Sequence, residues 1–309
     1  MIVSSMMPAV TQMIYDMGLE HMLNGITFEC PKQALQEKEV LVRCILEDKK
    51  YTSDEINTLF SESKATGKSL YYVNEEVMHN IAPSLVFTQD VCDVCQIDTE
   101  SAERSLSKLA VIPKTISITP QSLNDVFNDA ITIATAMGFP AKGEAYVLEL
   151  QNQIKEIVDR LRADLILPKS VMLLEWIDPL FNCGHWIPHQ IGFAGGVDLL
   201  SHPSGDSIVI DWDKIVKYNP EVLVIAPCGY TQERTLEDMK FLEAKAEWSQ
   251  LKAVRNKQVY IADFDLFTQS SASTLVDGIK VLAKLFHPEV FTESIGLEHK
   301  YSNYFNTKN

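Results

Sequence analysis

Short apolar runs at 2–4, 26–28, 85–88, 171–174, 222–226 and 259–262 are separated by stretches of helical period. This alternation constrains the fold more than any other feature, because strands alternating with helices bury both faces of a sheet in α/β layers with mostly parallel strands. It is broken once, over 122–165, where the pattern is helical alone. Ser122 and Asp125 stand in capping-box spacing, Gly138 and Pro140 interrupt, and beyond Gly143 the residues Val147, Leu148, Leu150, Ile154, Ile157, Val158 and Leu161 fall on one apolar stripe. A floppy linker would want Gly, Ser or Pro, so 143–165 reads as one long rigid helix. The expected fold is α/β: an N-terminal lobe over 1–142, the connecting helix over 143–165, and a C-terminal lobe with a C-terminal tail over 166–309.

The chain's 309 residues, 46% of them hydrophobic, suffice for a core in each lobe. A formal charge of -15 with no basic block excludes a nucleic-acid partner. No uninterrupted apolar run approaches membrane-spanning length, so membrane insertion is not expected. The opening MIVSSMMPAV lacks the basic and apolar regions of a secretory signal and reads as a first strand. It points to a cytoplasmic protein, or to an extracytoplasmic one if a signal has been removed. On that reading the six cysteines, at 30, 44, 92, 95, 183 and 228, are reduced thiols.

The two halves echo each other. EVMHNIAP (76–83) and DKIVKYNP (213–220) both place an acid seven residues before a proline, and an apolar run follows each proline. Proline lacks an amide hydrogen and restricts its predecessor, so each segment reads as a short helix stopped before a strand. The strands lead into TQDVCDVC (88–95) and APCGY (226–230), turns at the carboxyl ends of strands, where α/β proteins take ligands.

The richest segment, LEWIDPLFNCGHWIPHQIGFAGG (174–196), offers Cys183 and His185 as soft metal donors, and Trp176 and Trp186 as flat apolar surfaces. The alternative is structural, with Trp186 packed under the following helix and Cys183 a small hydrophobe. Cys92 and Cys95 form a C-x2-C pair beside Asp90, but no second pair completes a structural zinc tetrahedron. Cys92, Cys95, Cys183 and His185 are the candidate metal ligands, and Cys44, in an apolar run, is the expected core thiol. The TGKS at 66–69 lacks the first glycine of a phosphate loop, and neither G-x-G-x-x-G nor G-x-S-x-G is present.

VSSMMPAVTQMIYDMGL, TQDVCDVC, the 174–196 loop, PCGYTQERT and WSQLKAVRNKQVY together resemble the Fe/B12-type substrate-binding proteins of ABC transporters, in particular their cobalamin-binding branch. The resemblance spans about residues 2–286. It departs from the common pattern at Gln12, where relatives carry Glu, and at Phe28, where they carry His. It implies two lobes on a helical backbone, a cleft between them, and binding without turnover of cobalamin, another corrinoid, haem or a transition-metal chelate. The ligand-lining residues expected from the strand-end loops are Pro8, Glu29, Cys30, Asp90, Cys92, Cys95, Trp176, Cys183, His185, Trp186, Cys228, Tyr230 and Phe267. By the same resemblance Glu76 and Asp213 are the acids that meet basic residues of a transporter. Two other classes stay open: a cytoplasmic metal-handling protein or thiol-dependent enzyme that reuses the fold, and a regulatory protein that binds another protein through the Glu76 and Asp213 faces.

Overall fold

A computed structural model describes residues 1–47, 49, 51–66, 68–89 and 99–307. The chain forms two compact units, Met1–Pro120 with Asp125–Val147 and Gln121–Asn124 with Leu148–Asn309.

The first unit runs β1 (Val3–Ser5), α1 (Pro8–Asp16), β2 (Leu23–Thr27), α2 (Lys32–Glu37), β3 (Glu39–Cys44), α3 (Ser53–Thr66), β4 (Tyr71–Val73), α4 (Glu75–Ile81), β5 (Leu85–Thr88), α5 (Thr99–Leu106), β6 (Lys114–Ser117) and α6 (Leu123–Ala136). Its sheet has the order β4-β3-β2-β1-β5-β6, parallel throughout except for β4 against β3. The central strands β1 and β5 are buried along their whole length, as the continuous run 85–88 requires. Leu41, Val42, Cys44, Met78 and Val86 form one core cluster with Ala102 and Leu106.

Helix α6 ends where Gly138 takes φ 90, with Phe139 N donating to Ala134 O at 2.8 Å and Gly138 N to Thr135 O at 3.0 Å. These two bonds cap the last carbonyls, and the left-handed backbone needs glycine. Helix α7 (Pro140–Ala163) then starts at once. Pro140 does not interrupt the helical stretch: a proline in the first turn has no bond to lose, and it starts the helix. The expected stripe is buried at Val147, Leu150, Ile154, Ile157 and Leu161, whereas Leu148 lies off it and is 60% exposed.

The second unit adds β7 (Lys169–Leu174), β8 (Gly184–His185), α8 (Ile187–Phe193), β9 (Gly196–Val197), β10 (His202–Pro203), α9 (Trp212–Tyr218), β11 (Val222–Ile225), α10 (Gln232–Glu243), α11 (Lys252–Arg255), β12 (Val259–Ala262), α12 (Ala272–Phe286) and β13 (Tyr301–Asn303). The main sheet has the order β13-β12-β11-β7-β9, with β13 alone antiparallel, and β8 pairs β10 separately. Strands of the two halves stay in separate sheets. Met172, Leu174, Leu223, Ile225, Val259 and Ile261 build the core with Ile215, Met239 and Leu242. Helix α12 approaches closely at Gly278, where a β-carbon would stand 2.3 Å from Leu266 O and 2.5 Å from Gln190 Nε2. The buried Gln190 amide donates to Leu266 O at 2.9 Å and to Leu275 O at 2.8 Å.

The echoed segments fold alike. Ala82 (φ 44) ends α4 and Asn219 (φ 52) ends α9, each in left-handed conformation, with its N–H donated to Met78 O and Ile215 O respectively. Pro83 and Pro220 follow and feed β5 and β11. Glu76 and Asp213 are exposed in the first turns of α4 and α9.

Candidate functional site

In each sheet the chain leaves its first strand in both directions, which creates a switch point at the carboxyl edge, where ligands bind in open α/β sheets. In the first unit the switch lies between β1 and β5. Pro8 is buried at the start of α1, and Gln89, absent from the sequence-based candidates, is buried beyond β5. Asp90, Cys92 and Cys95 lie outside the described residues. At the end of β2, Cys30 is buried, donates its thiol to Thr11 Oγ1 at 3.2 Å, and is pushed by burial up to about 12. Neighbouring Glu29 reaches solvent and has no hydrogen-bond partner, yet enclosure by the protein, reinforced by Glu47, pushes its carboxyl up to about 7.

In the second unit the 174–196 loop is tied to 198–210. Glu175 accepts from Gly184 N at 3.1 Å and Ser207 Oγ at 2.6 Å, while burial raises its pKa against those two bonds. Asn182 accepts from Ile208 N at 2.7 Å and donates to Leu200 O at 2.6 Å. Asp198 accepts from Leu200 N at 2.9 Å and Leu173 N at 3.3 Å, and burial lifts it to about 6. The cysteine of this loop is part of the same packing: Cys183 is wholly buried, 3.7 Å from Asp198 Oδ2, with its thiol pushed well above the ordinary range by burial and then by Asp198.

The loop's two tryptophans have different fates. Trp186 is buried and donates its indole N–H to Phe267 O at 2.6 Å, and Phe267 is itself fully buried. Both therefore shape the loop from inside. Trp176 is half-buried, and its indole N–H is taken by Asp178 O at 3.0 Å. Its ring meets Tyr230 at 4.9 Å, and the Arg234 guanidinium lies 4.8 Å from the centre of Tyr230. Indole, phenol and guanidinium thus form a cluster at the ends of β7 and β11, the two rings inclined at 55°, with half-buried Cys228 on the turn before Tyr230.

His185 is half-buried with Nδ1 3.3 Å from Gln121 Oε1, and burial lowers its pKa. Cys183 and His185, expected to share a metal, are not assembled into a ligand set. Among the described residues no group of three or more His, Cys, Asp or Glu side chains could hold an ion. Gln121, Glu175, Asn182, Asp198 and Ser207, which hold the loop, were all missed from sequence. The only signal was their amide, carboxylate or hydroxyl character in turn-rich segments.

Two parallel-stranded α/β units, with polar and aromatic side chains gathered at their strand ends, define a ligand-binding protein. The chain belongs to the periplasmic binding protein family, whose model matches residues 47–266. It is 23% identical over 297 residues, 94% of this chain and 81% of the relative, to YvrC, an uncharacterized ABC transporter substrate-binding lipoprotein of Bacillus subtilis. A periplasmic heme-binding protein of Pseudomonas aeruginosa has a similar fold, with a TM-score of 0.68, 16% identity, and coverage of 93% of this chain and 92% of that one. The periplasmic vitamin B12-binding protein BtuF of Vibrio cholerae gives 0.62 at 14% identity, with 94% and 98% covered.

These similarities correct the cytoplasmic expectation: the family and its relatives are periplasmic or lipoprotein receptors. The expectation rested on the first ten residues, within which Val3–Ser5 form β1 and Pro8 opens α1. No helix among the described residues is long and apolar enough to cross a membrane.

Proposed function

We propose that this chain is the extracytoplasmic substrate-binding component of an ABC transport system and that its ligand is a metal-chelating macrocycle, a corrinoid or haem, bound without turnover. The observation that carries the proposal is the Trp176–Tyr230–Arg234 cluster. Because the indole N–H is already engaged by Asp178, Trp176 offers a ligand its apolar ring surface, and the inclined Tyr230 ring, itself in contact with the Arg234 guanidinium, packs against that ring. Relatives described as heme-binding and vitamin B12-binding support this ligand class. Cys228, Glu29, Asp90, Cys92 and Cys95 belong to the same proposal through their positions after strands.

Glu76 and Asp213 are the proposed transporter contacts, each exposed on a helix of the same build in its own unit. Calorimetric titration of the whole protein with cobalamin, cobinamide and hemin tests the ligand class. Saturable heat at micromolar concentration with at least one, weakened by about 1–3 kcal/mol in Trp176→Ala, is the expected result. No heat with any of them overturns it.

A further inference from the structure

We infer that the amino terminus of α12 holds an oxyanion, a carboxylate or a phosphodiester carried as an arm of the bound chelate, through its first-turn amides and the Ser270 hydroxyl. This deepens the function proposed above and rests on it: besides offering an apolar surface to the macrocycle, the second unit selects its ligand by the charge on the rim.

Helix α12 follows β12, which runs parallel to β11, so its first turn lies at the carboxyl edge of the second sheet, as do Trp176 after β7 and Tyr230 after β11. The segment that leads into it is laced to the site loop. Trp186 donates its indole N–H to Phe267 O at 2.6 Å, and Gln190 donates its amide to Leu266 O at 2.9 Å. The helix start is thus held by the loop that carries Trp176.

The turn is uncapped. Ser271 is the N-cap residue, with the extended backbone (φ -81, ψ 131) from which serine ordinarily accepts a first-turn N–H, but its side chain accepts none. Its hydroxyl lies 3.4 Å from Ser273 Oγ instead, and Thr274 turns its own hydroxyl back to Ser271 O at 3.0 Å. Among the described residues the N–H groups of Ala272 and Thr274 find no acceptor, and no acidic side chain stands in the first turn to meet the positive end of the helix.

Ser270 points to a ligand independently. It is 8% exposed, its hydroxyl has no hydrogen-bond partner among the described residues, and its oxygen still touches solvent. A hydroxyl so enclosed leaves a bond unmade until a partner comes to it. It stands directly before the N-cap, so a group that accepts its proton at the mouth of the helix meets the free amides as well. The segment 267–276, FTQSSASTLV, contains no lysine or arginine, and recognition falls to hydrogen-bond donors and the helix dipole. Such donors suit an oxyanion, which brings two or more acceptor oxygens. An ammonium brings none.

The test uses the whole protein and two pairs of chelates that differ in the arm: hemin against its dimethyl ester, whose carboxylates are masked, and aquocobalamin against diaquocobinamide, which lacks the phosphodiester. Affinities are read by calorimetry and by quenching of tryptophan fluorescence. Wild type is expected to bind the oxyanion-bearing member of one pair about tenfold or more tightly than its partner, the scale of a charge-assisted hydrogen bond. A preference within the hemin pair names a carboxylate, and one within the cobalamin pair a phosphodiester. Ser270→Ala should shrink that preference. Ser273→Asp, which puts a carboxylate where the helix itself favours one, should abolish it, with the loss easing as salt is raised. Equal affinity within both pairs, or a preference that survives Ser273→Asp, overturns the oxyanion site and leaves the chelate-binding function standing. Absence of binding with all four chelates overturns both. Uptake of inorganic phosphate alone, lost in Ser273→Asp while neither pair is separated, would assign a site for a free anion and overturn the role in holding a ligand arm.

Discussion

Replacing Gly278 with Ala sets two effects against each other inside α12. Alanine is the better helix former by about 1 kcal/mol, and in open solvent the change would stabilise. Here the new methyl would stand 2.3 Å from Leu266 O, a backbone atom, and 2.5 Å from the Gln190 amide nitrogen. Gln190 is fully buried and cannot swing out to solvent, and its amide already serves two carbonyls, Leu266 and Leu275. Overpacking costs about 1–3 kcal/mol, and each buried polar group left unpaired costs about 1–3 more. With one bond lost and partial relaxation, the net is a destabilisation of about 2–4 kcal/mol. All four tryptophans, at 176, 186, 212 and 248, lie in the second unit, so urea unfolding followed by their fluorescence reads that unit directly. With a slope of roughly 2 kcal/mol per molar, the midpoint should fall by about 1–2 M at unchanged slope. A midpoint equal to or above wild type would refute the reasoning and mean that α12 moves away at little cost.

Trp186→Ala should destabilise the second unit by about 3–5 kcal/mol, because the ring is buried; urea melts check this. Asn219→Ala should cost about 1–2 kcal/mol in the same assay, since it loses the left-handed preference of Asn and the acceptor that holds Lys252 N at 2.7 Å. Glu29, raised from 4.5 to about 7, binds its proton more readily folded than unfolded, so its contribution to stability falls as pH rises across that interval. Glu29→Gln should flatten the slope of stability against pH there, as measured by circular dichroism of urea-treated samples. In a Cys92→Ser/Cys95→Ser background, Cys228 should alkylate fastest by peptide mass spectrometry, with Cys30, Cys44 and Cys183 slow, because the last three are buried and burial raises their thiols.

What the sequence made legible follows from periodicity. Strands β11 and β12 stand out because central parallel strands are apolar on both faces, and α7 because its stripe repeats over many turns. The edge strand β6, KTIS, is half-exposed and short, so no apolar run marks it. Strand β3 ends at Cys44, its apolar run broken by Arg43, and its antiparallel neighbour β4 has one exposed tyrosine between two buried residues. The site loop resists such reading for another reason. Its shape comes from side chains bonded to distant backbone, such as Asn182 to Leu200 and Ile208 and Glu175 to Gly184 and Ser207, and hydrogen bonds of that kind have no period. Hence Cys183, a plausible ligand by type, is placed in the core, while Gln121, in a segment without chemical character, meets His185.

The corner that recurs in both units, a seven-residue helix closed by a left-handed residue and a proline, has a kinetic consequence. Helices so short do not persist unaided, and these are held by their closures and by the strands they feed. Glu76 and Asp213 therefore wait in finished surfaces, and a partner that meets either one has no segment to order first. The rate of such an encounter is set by diffusion and charge, so it should rise in dilute salt and fall once the screening length shrinks below the distance over which the acids can steer.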